Sequence, residues 1–184
     1  LTNEEILKNK DYLSSFIKKD HRKICSLILG GPTKYYDYSS ENMKNIFFIL
    51  NNFLKKNDLQ LVVIPSMRTP KNSIDYAKKY FGGNHTIIDK VDKKAYLSAL
   101  SISNSIVVTC DSSSMISEAA LTGKPIYVAN ILPRKSDKRF QEFRNLFREL
   151  NIIRNLGEEE ANWNYQKLDE TNRVANIIKK KINS

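Results

Sequence analysis

The residues best suited to chemistry lie in one stretch, "VTCDSSSMISEAALTGKPIYVAN", at positions 108–130. Asp111, Ser112, Ser113 and Ser114 place four oxygen-bearing side chains in a row between an apolar run and a run of helix formers. One such residue is enough to cap a helix, by accepting from a backbone N–H of the first turn. A longer run at a helix start can do more, because the free N–H groups and the positive end of the dipole bind an anion. Serine hydroxyls add donors. Glu118 follows Ser114 by four residues, so it shares that helix face, and its carboxylate can accept from a diol beside the anion. The plainer reading of these residues is an ordinary cap and a solvent-facing glutamate.

Two further stretches have similar character: "GGPTKY" at 30–35 and "PSMRTP" at 65–70. Gly30 and Gly31 allow close approach of a backbone and can adopt positive φ. Lys34 can neutralise a phosphate. Arg68, in a short loop between Pro65 and Pro70, is better restrained than a surface arginine and can fork onto a phosphate or carboxylate. The competing roles are a tight turn, a solvated lysine and an ion pair to a neighbouring loop.

The surrounding elements must bring these stretches together. Residues 3–17 carry Ile6, Leu7, Leu13, Phe16 and Ile17 at helical spacing. Ile24–Leu29 is a buried strand ending at Gly30-Gly31-Pro32. Met43, Ile46, Phe47, Leu50, Phe53 and Leu54 stripe the next helix. A second strand, "LQLVVIP", runs into a helix that Thr69 can cap, with Pro70 at its first position and Gly82-Gly83 beyond its end. "HTIID" predicts a short third strand, 95–103 a helix, "SIVVT" a fourth strand, 114–121 a helix and "PIYVAN" a fifth strand. Phe140, Phe143, Leu146, Phe147 and Leu150 stripe another helix, and a last one spans about 169–182.

The strands are near-continuous apolar runs, as expected when helices cover both faces of a parallel sheet. The alternation predicts an α/β fold with a Rossmann-like open parallel sheet. In such sheets ligands bind outside the carboxyl ends of the strands, and all three stretches lie there. Gly30, Gly31, Lys34, Arg68, Asp111, Ser112, Ser113, Ser114 and Glu118 are therefore the candidate site. Phosphate on the helix start and ribose on Glu118 describe a nucleotide-diphosphate pocket.

Composition bounds the rest. The 184 residues are 41% hydrophobic and 10% aromatic, which excludes a disordered tail. Two cysteines, Cys25 and Cys110, form no metal or disulfide pattern and suit a reducing compartment. No apolar stretch approaches bilayer-spanning length. The chain begins at Leu1 without a methionine, so we read it as a piece of a longer protein in which an absent signal peptide carries no weight. The net charge of +10 favours anionic partners or a lysine-rich solvated surface. Nothing in the sequence converts that charge into nucleic-acid recognition, so no nucleic acid is expected. His21 and His85 have no partner at motif distance, Cys110 reads as a small buried thiol, and Trp163 is expected to anchor the final segment on the domain.

"GGPTKYY", "SMRTP" and "VTCDSSSMISEAALTGKPIYV", in this order, resemble the mitochondrial fission ELM family, across almost the whole chain from "LTNEEIL" to "LDETNRVA". The family comprises bacterial proteins and a plant protein implicated in mitochondrial division. Its members resemble nucleotide-sugar glycosyltransferases with two Rossmann domains, the GT-B type. The usual motifs read GGPS-K-H-Y and S-R-R-T-P. Here Thr33 and Tyr35 replace the serine and histidine, and Met67 replaces the first arginine, leaving Arg68 as the cation of that motif.

The resemblance implies the donor-binding, carboxyl-terminal half of a GT-B fold. Residues 1–20 would be a linker helix from the other half, 21–155 the Rossmann-like domain, and 156–184 a loop and helix packing back. It implies a nucleotide-diphosphate sugar bound as substrate, with no separate cofactor and no metal. The missing amino-terminal half would be the partner carrying the acceptor site and catalytic base, so this half alone is expected to be inactive. The setting implied is cytoplasmic, at the inner face of a membrane carrying a lipid-linked acceptor. The basic helix from Arg134 to Leu150 could meet an anionic membrane surface with Phe140, Phe143 and Phe147, or pack them on the sheet. The serine stretch also resembles UDP-N-acetylglucosamine 2-epimerases, which carry glycines at the positions of Ser113 and Ser114. A sugar epimerase and a protein-recruiting module that keeps the fold are the alternatives.

Overall fold

The computed structural model describes residues 1–158 and 163–167. The expected helix over 169–182 lies outside them. Six strands form one sheet: β1 (Lys23–Leu29), β2 (Leu59–Pro65), β3 (Thr86–Ile87), β4 (Ser105–Thr109), β5 (Ile126–Ala129) and β6 (Ile153–Asn155). They pair in the order β3-β2-β1-β4-β5-β6, and every pairing is parallel. The direction of winding reverses between β1 and β4, which opens a crevice at their carboxyl ends.

The helices are α1 (Asn3–Lys8), α2 (Ser40–Lys56), α3 (Lys71–Phe81), α4 (Lys93–Ile102), α5 (Ser113–Ala120) and α6 (Lys138–Glu149). They cover both faces, as successive side chains of β2 record. Leu61 and Val63 join the main core, while Val62 and Ile64 meet Leu13, Ala95 and Ala99 on the other side. Every residue of β2 is buried, the burial expected of a central strand between two helical layers. Phe47 of α2 anchors the larger core. Its ring stacks on Tyr76 with centroids 5.3 Å apart and packs against Tyr80 and Phe81.

Several local expectations give way to tertiary contacts. The helix expected over 3–17 stops at Lys8 and resumes as a 3-10 turn, Tyr12–Ser15. Here α4 supplies the partners. The Ser98 hydroxyl accepts from the Leu13 N–H at 3.1 Å, and Asp92 accepts from the Tyr12 hydroxyl at 2.5 Å. Thr69 does not cap α3. Pro70 occupies the cap position, and the Thr69 hydroxyl lies within hydrogen-bonding distance of the Leu29 and Gly30 carbonyls, 2.8 and 2.7 Å away.

The phenylalanine stripe of α6 turns inward. Phe147 is buried, Phe140 and Phe143 are half-buried against the core, and only Leu146 and Leu150 of the stripe are exposed. Of the two readings of this stripe, packing of the rings against the core is the one found. β6, absent from the expectations, is a three-residue edge strand held by pairing with β5. Trp163 packs edge-on against Tyr127, with centroids 5.0 Å apart, and brings the described part of the last segment onto the sheet.

His85 is a framework residue. Its Nδ1 accepts from the Leu61 N–H at 3.0 Å, and burial, aided by Arg22 and Lys18, lowers its pKa from 6.5 to about 4. The neutral ring is the native form, and the unfolded chain takes up a proton that the native protein does not. Stability should therefore be complete above pH 6.5 and fall as pH drops toward about 4. The loss should be roughly 1–2 kcal/mol, allowing for solvent screening. Urea denaturation against pH measures the slope, and His85→Asn, which keeps an acceptor, should flatten it.

Candidate functional site

The carboxyl ends of β1, β2 and β4 converge where the winding reverses, and a single buried carboxylate joins the three loops. Asp111, just beyond β4, has a fully buried side chain. Its Oδ2 accepts from the Gly31 N–H at 3.1 Å and from Arg68 Nη2 at 2.8 Å, and its Oδ1 accepts from the Tyr38 hydroxyl at 2.5 Å. Arg68 also donates from Nη1 to the Gly31 carbonyl at 3.0 Å. One step deeper, the Thr109 hydroxyl oxygen accepts from the Gly30 N–H at 2.8 Å and lies 2.8 Å from the Tyr38 hydroxyl, whose one proton goes to Asp111.

The two glycines are required here by space. A Cβ on Gly30 would overlap the Asp111 carboxylate, and one on Gly31 would overlap the Arg68 carbonyl. Neither has positive φ, so close approach, not backbone handedness, explains them. Their pairing with Asp111 and Arg68 is a steric lock between distant parts of the chain.

A second polar knot lies beside the first. Asp137, at the cap position of α6, has a side chain with no solvent exposure and accepts from Arg144 Nη2 at 3.0 Å, Gln141 Nε2 at 2.6 Å and the Tyr36 hydroxyl. Arg144 Nη1 donates to the Tyr36 hydroxyl at 2.9 Å and to the Cys110 carbonyl at 3.3 Å. The ion pair and hydrogen bonds outweigh burial and hold the Asp137 pKa below its ordinary value. Burial pushes the Tyr36 phenol up, and raises the Cys110 thiol to about 11, so Cys110 is an inert buried thiol.

Helix α5 rises from this floor. Ser112 is its cap, with Oγ accepting from the Met115 N–H at 3.3 Å. Ser112 and Ser113 are half-buried and Ser114 is exposed. The N–H and hydroxyl groups of Ser113 and Ser114 make no hydrogen bond among the described residues. Glu118 is half-buried one turn further on. Its Oε2 accepts from the Tyr96 hydroxyl at 2.5 Å, and its Oε1 has no partner among the described residues. Burial, aided by the contact with Glu118, raises the Tyr96 pKa.

The candidate residues thus fall into two groups. Gly31, Arg68 and Asp111 bind one another and, with Gly30 packed against Asp111, form the floor, whereas Ser112, Ser113, Ser114 and Glu118 form one wall, with donors and an acceptor that have no partner among the described residues. Lys34 stands apart, its ammonium 4.9 Å from the centroid of the Tyr35 ring. The sequence reading missed Tyr36, Tyr38, Thr109, Asp137 and Arg144. The spacing of Asp137 and Arg144, seven residues or two helical turns, and the cluster "KYYDY" were the available signals. Two cavities lie away from this crevice. One of about 300 Å³ is lined by Arg22, Leu59 and His85 at the amino ends of the strands; another of about 260 Å³ lies between α2 and the turn at Gly157.

Asp111→Ala removes the acceptor of three hydrogen bonds, from the Gly31 N–H, the Tyr38 hydroxyl and Arg68. It should cost about 3 kcal/mol, and Tyr38→Phe about 1 kcal/mol, in urea denaturation. In a double-mutant cycle Arg68→Ala should add less to Asp111→Ala than it costs alone; full additivity would show that the pair does not couple.

Comparison with known proteins places this geometry in context. The sequence model of the family described as Mitochondrial fission ELM1 matches residues 1–182. The chain is similar to the "Mitochondrial fission protein ELM1" of Arabidopsis thaliana, 28% identical over 159 residues, covering 84% of this chain and 36% of that protein. Among solved structures it is similar to the UDP-GlcNAc 2-epimerase of Neisseria meningitidis bound to UDP-GlcNAc, with a TM-score of 0.52 and 19% identity, covering 83% of this chain and 36% of that one. It is also similar to MnaA of S. aureus in a co-structure with UDP, with a TM-score of 0.54 and 18% identity, covering 81% of this chain and 40% of that one. At such identity the likeness shows the fold, one Rossmann-like half of the GT-B arrangement. The chain spans well under two thirds of each of these proteins.

Proposed function

The chain belongs to the mitochondrial fission ELM1 family, and we propose that it is the donor-binding half of a GT-B-like glycosyltransferase that takes a nucleotide-diphosphate sugar. One observation carries this reading. At the reversal of the winding, α5 presents N–H and hydroxyl groups of Ser113 and Ser114 that have no partner among the described residues, with Oε1 of Glu118, likewise without a partner among them, one turn away. A diphosphate suits the helix start, where N–H groups and dipole both favour negative charge. The ribose diol then donates to Glu118, which Tyr96 holds from the other side.

Arg68 contributes to this reading in a reduced role. Two of its nitrogens are committed to Asp111 and to the Gly31 carbonyl, so it fixes the floor under the phosphates and supplies long-range positive potential, not a free fork. That the Neisseria protein is bound to UDP-GlcNAc and the S. aureus protein to UDP supports the ligand class. The acceptor, and the base that would activate it, are assigned in this reading to the remainder of a longer protein.

Calorimetric titration with UDP, GDP, UDP-N-acetylglucosamine and UMP tests the proposal. The diphosphates should bind at least about tenfold more tightly than UMP, the difference expected of one added charge-assisted contact. Glu118→Ala should abolish nucleotide binding while costing only about 1 kcal/mol of stability for the lost Tyr96 hydrogen bond, and unchanged affinity would sink the ribose assignment. Arg68→Ala should weaken diphosphates more than nucleosides, and equal losses would refute a role toward phosphate. Absence of any nucleotide binding, in this chain and in a full-length relative, would favour a fold kept for protein contacts.

A further inference from the structure

The loop between β5 and α6 carries a large apolar side chain that is almost fully exposed. Leu132 is 85% exposed. The loop is not slack, because the Arg134 N–H donates to the Tyr35 carbonyl at 2.7 Å and Tyr36 forms an antiparallel bridge with Pro133. Beneath it, Tyr35 and Tyr36 meet Phe140 edge-on, with centroids 5.5 and 5.9 Å apart. Leu132 therefore stands on a rigid aromatic base, supported by the buried Asp137–Arg144 pair.

Cations surround it. Lys34 and Lys135 both sit on the Tyr35 ring, at 4.9 and 5.8 Å from its centroid. Arg134 lies in the same loop, and Lys138 and Arg139 open α6. All five are exposed. Two acids answer them, the half-buried Asp37 on Arg134 at 2.8 Å and the exposed Glu142 on Lys138 at 3.9 Å.

We propose that this loop docks reversibly on an anionic lipid bilayer, with Leu132 entering the headgroup boundary and Lys34, Lys135 and Arg139 meeting lipid phosphates. The chemistry favours a bilayer over a protein. Protein interfaces are depleted in lysine at their centres, whereas a bilayer surface accepts long cationic side chains whose heads stay wet. One leucine gives weak insertion, so the cations must supply most of the binding, and the contact is reversible and salt-dependent. The contact does not depend on nucleotide binding. It sets the crevice beside a lipid surface, at the inner face if that surface is the cytoplasmic leaflet.

Vesicle flotation tests it, using phosphatidylcholine alone and with a third replaced by phosphatidylglycerol. The chain should float with the anionic vesicles and not with the neutral ones. Lys34→Glu/Lys135→Glu/Arg139→Glu should abolish flotation, each lost cation costing about fivefold in partition. Lys44→Glu/Lys79→Glu/Lys94→Glu removes the same charge from exposed positions on α2, α3 and α4, and should cost far less. Equal losses in the two triple variants would overturn the proposal in favour of net charge alone. No flotation of the unaltered chain would also overturn it. Cys25 and Cys110 are buried, so an environment-sensitive dye on Leu132→Cys reports the loop selectively. Its emission should shift to the blue on anionic vesicles, and no shift would overturn insertion of Leu132.

Discussion

The carboxylate of Asp111 is the constraint on which the rest of the crevice depends. A fully buried charge survives only if its lone pairs are filled and a cation stands close. The chain meets that demand with groups from two other loops, Gly31 and Tyr38 from the one after β1 and Arg68 from the one after β2, 80, 73 and 43 residues distant in sequence. Meeting it fixes those loops relative to one another. It also dictates two glycines, since a side chain at either position would occupy the space that Asp111 and Arg68 need. The floor of the site is thus rigid before any ligand arrives.

From that floor the division of labour follows. A side chain cannot both anchor a buried carboxylate and offer itself freely to an anion, so Arg68 is largely spent on structure. The groups without a partner among the described residues are those at the start of α5, which belong to a helix rather than to the floor. Glu118 combines both roles, with one oxygen held by Tyr96 and the other without a partner among the described residues. The second knot, Tyr36 with Asp137 and Arg144, does for the β5–α6 loop what Asp111 does for the β1 and β2 loops. It holds the exposed Leu132 and its cations in a set position beside the crevice.

Much of the fold was legible in the sequence where burial is one-sided and repeated. Six apolar residues at helical spacing define α2, and the continuous apolar run of β2 announces a strand covered on both faces. The elements that escaped are those without such a signal. β6 has three residues, one of them fully buried, and becomes a strand only by pairing with β5. The break after Lys8 arises because α4 offers Ser98 and Asp92 to the backbone and ring that follow, which no local periodicity encodes.

For the site, the sequence by itself determined which stretches gather at the carboxyl edge, because a common strand direction follows from alternating apolar runs and helices. It also marked Asp111 to Ser114 and Glu118 as residues with a shared helix start. What it left open was the orientation of each polar group, since Asp, Arg, Thr and Tyr serve equally well toward a ligand or toward a neighbour. Only the tertiary structure decided that Asp111 and Arg68 face each other, that Thr69 closes onto β1 instead of capping α3, and that the phenylalanines of α6 face the core. The physical reason is common to all three: a buried polar group, or a large ring, takes the partner that removes it from water, and that partner lies elsewhere in the chain.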